Sequence, residues 1–159
     1  MENRNVEDTV RDIIRKMKAS CVMNLKVAKA LAQLVEEEAA RMGVKAVIAV
    51  SDAGGHPILV HSMDGAYMGS YDVAVNKTYT CVAFQMPTSA LATLAAPGGS
   101  LYGIQHTNQG KIVIFGGGEP LYVDGVLVGA IGVSGGTAEQ DTKLGEYGKN
   151  KLKDVIAWN

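Results

Sequence analysis

The chain has 159 residues, of which 47% are apolar and 19% are charged, so it is suited to one folded domain rather than to disorder. Fifteen basic residues balance sixteen acidic ones, which leaves no positive excess for nucleic acid. No apolar run reaches the length of a membrane span, and residues 1–20 lack the apolar core of a signal peptide. Two cysteines, Cys21 and Cys81, do not have metal-ligand spacing. We expect a cytoplasmic protein that binds neither nucleic acid nor membrane.

Two amphipathic helices are predicted before the first strand. The first covers residues 6–18, and its apolar stripe recurs at helical spacing: Val6, Val10, Ile13, Ile14 and Met17. The second runs from an N-cap at Asn24 to Met42, with Gly43 just past its end. We divide the chain into an N-terminal amphipathic extension, residues 1–20, and a domain, residues 21–159.

Five strands and three more helices follow. The strands are predicted at 44–50, 57–63, 111–115, 120–123 and 126–133, and the helices at 70–84, 88–95 and 137–158. Residues 98–109 are predicted to be a loop. The turn at 52–55 and the Asp124-Gly125 pair each predict a hairpin, so the sheet is antiparallel. The expected fold is a layered α/β/α arrangement of the α+β class.

Three glycine-rich stretches carry a family resemblance. They read SDAGG followed by SMDGA (51–55 and 62–66), FGGGEP (115–120), and GAIGVSGGTAEQD (129–141). In this order and spacing they resemble the GlcG/HbpS family, which includes the C-terminal domain of PduO-type corrinoid adenosyltransferases. The stretches SLYGI and TNQ, at 100–104 and 107–109, resemble small members encoded beside glycerol and diol dehydratases.

The resemblance implies a profilin-like three-layer fold with a five-stranded antiparallel sheet and a homo-oligomer larger than a dimer. It also implies a tetrapyrrole ligand, haem or alternatively a corrinoid, and a link to cobalamin-dependent diol or glycerol metabolism. The adenosyltransferase chemistry belongs to a separate domain, whose ATP-binding motif is not found in this sequence. The first hypothesis is therefore a non-catalytic ligand-binding accessory protein.

Candidate haem ligands are ranked by their position in the chain. His106 comes first, because it lies in a glycine-bounded loop after Tyr102 that is able to close over a pocket. His61 is the alternative axial ligand, and Met63, two residues further along the same strand, is a candidate thioether. His56, next to Pro57 in a hairpin turn, is expected to face solvent.

A second candidate site lies at Gly135, Gly136 and Thr137, which open the last helix. Its first backbone N–H groups suit an anion, and a well-capped helix is an equally good interpretation. Thr137 and Gln140 fit a capping box. The glycines at 116–118 are interpreted as a tight bend rather than a phosphate cradle, because a hairpin and not a helix follows them.

Two other functions stay open. One is an enzyme of unrecognised type acting on a small molecule at the Gly136–Asp141 loop, although no nucleophile with an activating neighbour is found. The other is a structural oligomer or microcompartment cargo. In that case residues 6–18 either pack as an ordinary helix or dock on a shell protein, which would place the chain inside a bacterial microcompartment.

Overall fold

The computed structural model describes residues 6–20 and 22–157. These residues form five α-helices: α1 (Val6–Ser20), α2 (Leu25–Arg41), α3 (Gly69–Phe84), α4 (Thr88–Ala95) and α5 (Ala138–Ala157). They also form four strands: β1 (Val47–Asp52), β2 (Pro57–Ser62), β3 (Gly118–Val123) and β4 (Val126–Ser134). Two short 3-10 turns, Ile104–His106 and Asn108–Gly110, interrupt the predicted loop. Cys21, the predicted first residue of the domain, and Trp158, the predicted end of the last helix, lie outside the described residues.

The strands form one antiparallel sheet in the order β2-β1-β4-β3. Both predicted hairpins are confirmed, β1 with β2 and β3 with β4. The Asp124-Gly125 turn has positive φ at both residues, 49° and 76°, as a type I′ turn requires. The two hairpins join through β1 and β4, so β2 and β3 are the edges.

Helices cover both faces of the sheet. On one face α2 and α5 pack against Ile48, Val50, Ile131 and Val133 in the main apolar core. On the other face α3 packs against Val47 and Ala49 through Ala74. At Gly132 a Cβ would lie 2.2 Å from the carbonyl oxygen of Ala74, so this glycine allows α3 to approach β4 closely. The predicted mixed α+β architecture with an antiparallel sheet is confirmed.

The prediction of five strands is wrong, because residues 111–115 do not pair with the sheet. Ile112 and Val113 are buried, as a strand's side chains would be. However, the N–H of Val113 donates to Thr80 Oγ1 of α3 at 3.0 Å. Thr80 Oγ1 also contacts the carbonyl oxygen of Lys111 at 3.3 Å. A side chain of α3 therefore anchors this segment in place of a neighbouring strand.

The local signals at helix ends agree with the structure. Asn24 caps α2, since its side chain accepts from the N–H of Val27 at 3.0 Å. Gly43 follows with a φ of 69°. The capping box of α5 is also present: the N–H of Thr137 donates to Gln140 Oε1 at 2.9 Å, and that of Gln140 donates to Thr137 Oγ1 at 3.2 Å. In residues 6–20 and 22–157, every helix is too short or too polar to cross a membrane.

Candidate functional site

The predicted haem ligands lie on opposite faces of the sheet. His61 on β2 pairs in register with Ile48, which faces α2 and α5, and its Nδ1 lies 3.0 Å from Glu36 Oε2 of α2. His106 ends the first 3-10 turn and is exposed. The loop that carries it contacts α3, because Asn108 Nδ2 donates to the hydroxyl of Tyr79 at 3.1 Å. The structure therefore does not bring His61 and His106 to one site.

The other predicted haem contacts differ in accessibility. Met63 Sδ accepts a hydrogen bond from the N–H of Ala46 at 3.3 Å, and the side chain packs against the main core. Its thioether is thus already engaged in the fold. Tyr102 is 67% exposed and lies in the same loop as His106. Of this set, Tyr102 and His106 are the pair that a ligand from solvent could reach.

At the predicted anion site at the start of α5, three backbone N–H groups already have acceptors. The N–H of Gly136 donates to Asp141 Oδ1 at 2.9 Å, and the capping box takes up the N–H groups of Thr137 and Gln140. At Gly135 a Cβ would lie 2.4 Å from the carbonyl oxygen of Lys45, so that glycine is required by packing. These contacts favour the interpretation of a well-capped helix over an anion site.

The sequence did not predict a buried ion pair behind this loop. Lys77 of α3 and Asp141 of α5 lie in the interior, 0% and 3% exposed, and their charged atoms are 2.9 Å apart. Lys77 Nζ also donates to the carbonyl oxygen of Val133 at 2.6 Å. Burial lowers the pKa of Lys77, and the carboxylate of Asp141 opposes that shift. Because Nζ is enclosed and donates two hydrogen bonds, it holds α3 against β4 and α5 and is not available as a nucleophile.

The bend at Gly117 fits tightly around this pair. Its φ is 113°, and a Cβ there would lie 2.6 Å from the Val133 carbonyl oxygen and 2.7 Å from Lys77 Nζ. Only glycine has both the conformational freedom and the small size that this position needs. The ring of Phe115 lies 4.9 Å from Lys77 Nζ and adds a cation–π contact. The glycines at 116–118 therefore form a tight bend, as interpreted from the sequence.

A second group of buried polar side chains lies where β3 meets α3 and α5. Glu119 is 2% exposed and accepts from Lys149 Nζ at 2.8 Å. Burial raises the pKa of Glu119, while the hydrogen bond from Lys149 opposes the shift. Burial, reinforced by the charge of Glu119, raises the pKa of the Cys81 thiol to about 12. Cys81 is accordingly a thiol at neutral pH and a poor nucleophile.

An open cavity of about 460 Å³ lies between α4, α5 and the bend. Its lining combines apolar atoms with a charged rim: Ser89, Ala92, Phe115, Gly116, Ala138, Glu139, Thr142, Lys143 and Glu146. This lining includes none of the histidines or methionines predicted as ligands. Within the described ranges, 6–20 and 22–157, no group of three or more histidines, cysteines and acids is arranged to hold a metal ion.

The fold and its glycine-rich bends define a family. Residues 23–149 match the HbpS-like family, whose description is "haem degrading protein HbpS-like". The chain belongs to the HbpS-like family, and the predicted resemblance is confirmed.

Two relatives contain a similar sequence. An uncharacterised 15.0 kDa protein from the dhaT–dhaS intergenic region of Citrobacter freundii is 44% identical over 133 residues, which span 84% of this chain and 94% of the relative. The corrinoid adenosyltransferase PduO of Salmonella typhimurium is 37% identical over 116 residues, which span 73% of this chain and 34% of PduO. The chain thus matches about a third of PduO.

Two solved structures share the fold. The protein ORFY of Klebsiella pneumoniae superposes with a TM-score of 0.80 at 38% identity, over 82% of this chain and 90% of that one. The PduOC–haem complex superposes with a TM-score of 0.77 at 34% identity, over 80% and 93% of the two chains. At least one similar structure therefore contains haem.

Proposed function

We propose that this chain binds haem and that His106 supplies the axial nitrogen. The observation that carries the proposal is the similarity to the PduOC–haem complex, at 34% identity over four-fifths of this chain. His106 and Tyr102 are both exposed and lie in one loop, so a tetrapyrrole from solvent has access to both side chains. Haem iron commonly takes a histidine as its axial ligand.

The chemistry of His106 suits this role. Haem iron binds a neutral imidazole through an unprotonated ring nitrogen. His56 Nδ1 lies 3.3 Å from Asp52 and His61 Nδ1 lies 3.0 Å from Glu36, whereas His106 Nε2 lies 3.4 Å from the amide nitrogen of Gln105. The neighbour of the His106 ring is therefore a neutral amide rather than a carboxylate. Gln105 Oε1 is itself buried without a hydrogen-bond partner, so the polar groups beside His106 are incompletely paired.

His61 is the second candidate ligand, and one contact favours it. When Nδ1 donates to the Glu36 carboxylate, Nε2 is left as the unprotonated nitrogen. A carboxylate behind a metal-binding histidine fixes the ring and increases its basicity. The side chain of His61 is 30% exposed, so access to it is narrower than to His106.

Haemin titration of the purified chain tests the proposal. We expect a saturable Soret band, and we expect His106→Ala to weaken binding by about tenfold or more while His56→Ala changes it less than twofold. The Glu36→Gln variant serves as a matched probe of His61, because it alters the spectrum only if His61 is the ligand. Identical titrations for His106→Ala and His56→Ala would contradict the assignment.

The wider role is part of the same proposal: a ligand-binding accessory protein linked to cobalamin-dependent diol metabolism. It is supported by the likeness to PduO and to the protein of the dhaT–dhaS region. Competition of haemin against a corrinoid identifies the preferred tetrapyrrole. A Soret band that decays under reductant and oxygen, with iron release, would instead indicate that haem is a substrate.

A further inference from the structure

Helix α1 presents its apolar side to solvent. Val6 is 76% exposed, Ile13 51% and Ile14 47%. The opposite, polar side faces the domain: Asp12 is 25% exposed, and Arg15 Nη1 donates to the carbonyl oxygen of Asp124 in the β3–β4 turn at 3.4 Å. A surface helix ordinarily has the reverse orientation, with its apolar stripe towards the core. The stripe of α1 is therefore placed for contact with another molecule.

The spacing of the stripe is that of a two-helix pairing. Val6, Val10, Ile13 and Met17 are separated by four, three and four residues, which is the a/d repeat of a coiled coil. The helix has 15 residues, a length at which an isolated helix is marginal in water. A partner helix would bury the stripe and stabilise both helices.

The charges along α1 indicate the partner and its direction. Residues 6–12 contain three acids and one base, whereas residues 13–20 contain three bases and no acid. Asp12 and Arg15 face the domain, so the charges act on the pairing through the net charge of each half of the helix. In two antiparallel copies the more acidic half of each lies alongside the more basic half of the other. A parallel pair would place like charges together, which is unfavourable.

We infer that α1 is a self-association helix that pairs antiparallel with α1 of a second copy of this chain. The a/d layers then join Val6 of one copy with Met17 of the other, and Val10 with Ile13, on both sides of a two-fold axis. The pairing buries the exposed stripe and leaves Arg15 in place at the β3–β4 turn. The contact is isologous, so it closes on itself as a pair.

The first test measures self-association of the full chain by light scattering over a dilution series. Ile13→Asp places a carboxylate in the apolar layer, and we expect the dissociation midpoint to rise at least about tenfold. Arg11→Gln is the matched control, because it lowers the net charge of α1 by the same amount outside the stripe, and its midpoint should stay within about threefold of wild type. Circular dichroism verifies that the domain stays folded. An unchanged midpoint for Ile13→Asp, or a wild-type chain that is monomeric at all concentrations, would overturn the inference.

The second test determines direction by disulfide trapping in a Cys21→Ser background. A disulfide needs Cα atoms within about 7 Å. Antiparallel pairing predicts that a Val6→Cys chain mixed with a Met17→Cys chain gives mainly the mixed dimer on oxidation. Dominant Val6–Val6 cross-links would show a parallel pair and overturn the direction. If residues 1–20 carry a fluorescent reporter into microcompartment shells while no mixed dimer forms, the partner is a shell protein and the inference is wrong.

Discussion

At the scale of single residues, the Lys77–Asp141 pair decides how three parts of the molecule meet. Lys77 belongs to α3 and donates to the carbonyl oxygen of Val133 in β4. Asp141 belongs to α5, pairs with Lys77 and accepts from the N–H of Gly136, just after β4. Because both side chains are removed from water, each satisfies the other's charge and neither is easily replaced alone. The pair therefore connects α3 on one face of the sheet with α5 on the other.

We expect Asp141→Ala to lower the free energy of unfolding by about 3–5 kcal/mol, because it leaves the ammonium of Lys77 buried without its counter-charge. The matched control is Asp154→Ala. It removes the partner of Lys151 in a solvent-exposed pair at 3.6 Å and should cost no more than about 1 kcal/mol. Urea denaturation of both variants measures the difference. Similar losses in the free energy of unfolding would contradict a stabilising role of the buried pair.

At the scale of elements, helix ends and hairpins were predicted well because their determinants are local. Asn24, the Asp124-Gly125 turn and the box of Thr137 and Gln140 each act on backbone groups a few residues away. The segment 111–115 was predicted wrongly because its apolar run shows that it is buried but not what it pairs with. Its partner, Thr80, lies 31 to 33 residues earlier on α3.

The site was less predictable than the fold for the same reason. The ion pair of Lys77 and Asp141 was not predicted, because the two residues lie 64 positions apart and on different helices. A lysine within an otherwise apolar and small helix face was the available signal. His61 and His106 were proposed as alternatives, and no periodicity could show that they lie on opposite faces of the sheet.

The capping box of α5 gives a prediction at this scale. Thr137→Ala should cost about 1 kcal/mol of stability, because the N–H of Gln140 loses its acceptor at the helix end. The control, Thr93→Ala, removes an exposed threonine within α4 and should change stability by less than about 0.5 kcal/mol. Chemical denaturation of the two variants, with Gln140→Ala added to complete a double-mutant cycle, would show coupling only if the box is formed in solution.

At the scale of the whole molecule, Glu119 gives the stability of the fold a dependence on pH. Its pKa is raised on folding from an ordinary 4.5, so the native state holds this proton more tightly than the unfolded chain. The stabilisation is fully present below the unfolded pKa and is lost as pH rises through the raised, folded pKa. In this window the free energy of unfolding of wild type should fall with pH relative to Glu119→Gln.

Thermal or urea unfolding at several pH values measures this difference. Lys149→Met is the informative companion, because it removes the hydrogen bond that holds the pKa of Glu119 down. We expect the fall in stability to extend to higher pH in that variant. Parallel curves for wild type and Glu119→Gln would show that burial does not perturb this carboxyl.

The strand order has a consequence for how the chain reaches its native state. Each hairpin, β1 with β2 and β3 with β4, closes within a short stretch of chain. Their junction pairs Val47 with Ser134, which lie 87 positions apart in sequence, and α3 packs on both of these strands. Closing so long a loop is entropically slow, and contacts between distant residues lower folding rates. Folding of this domain is therefore expected to be limited by the meeting of two preformed halves, with the central β1–β4 seam forming last.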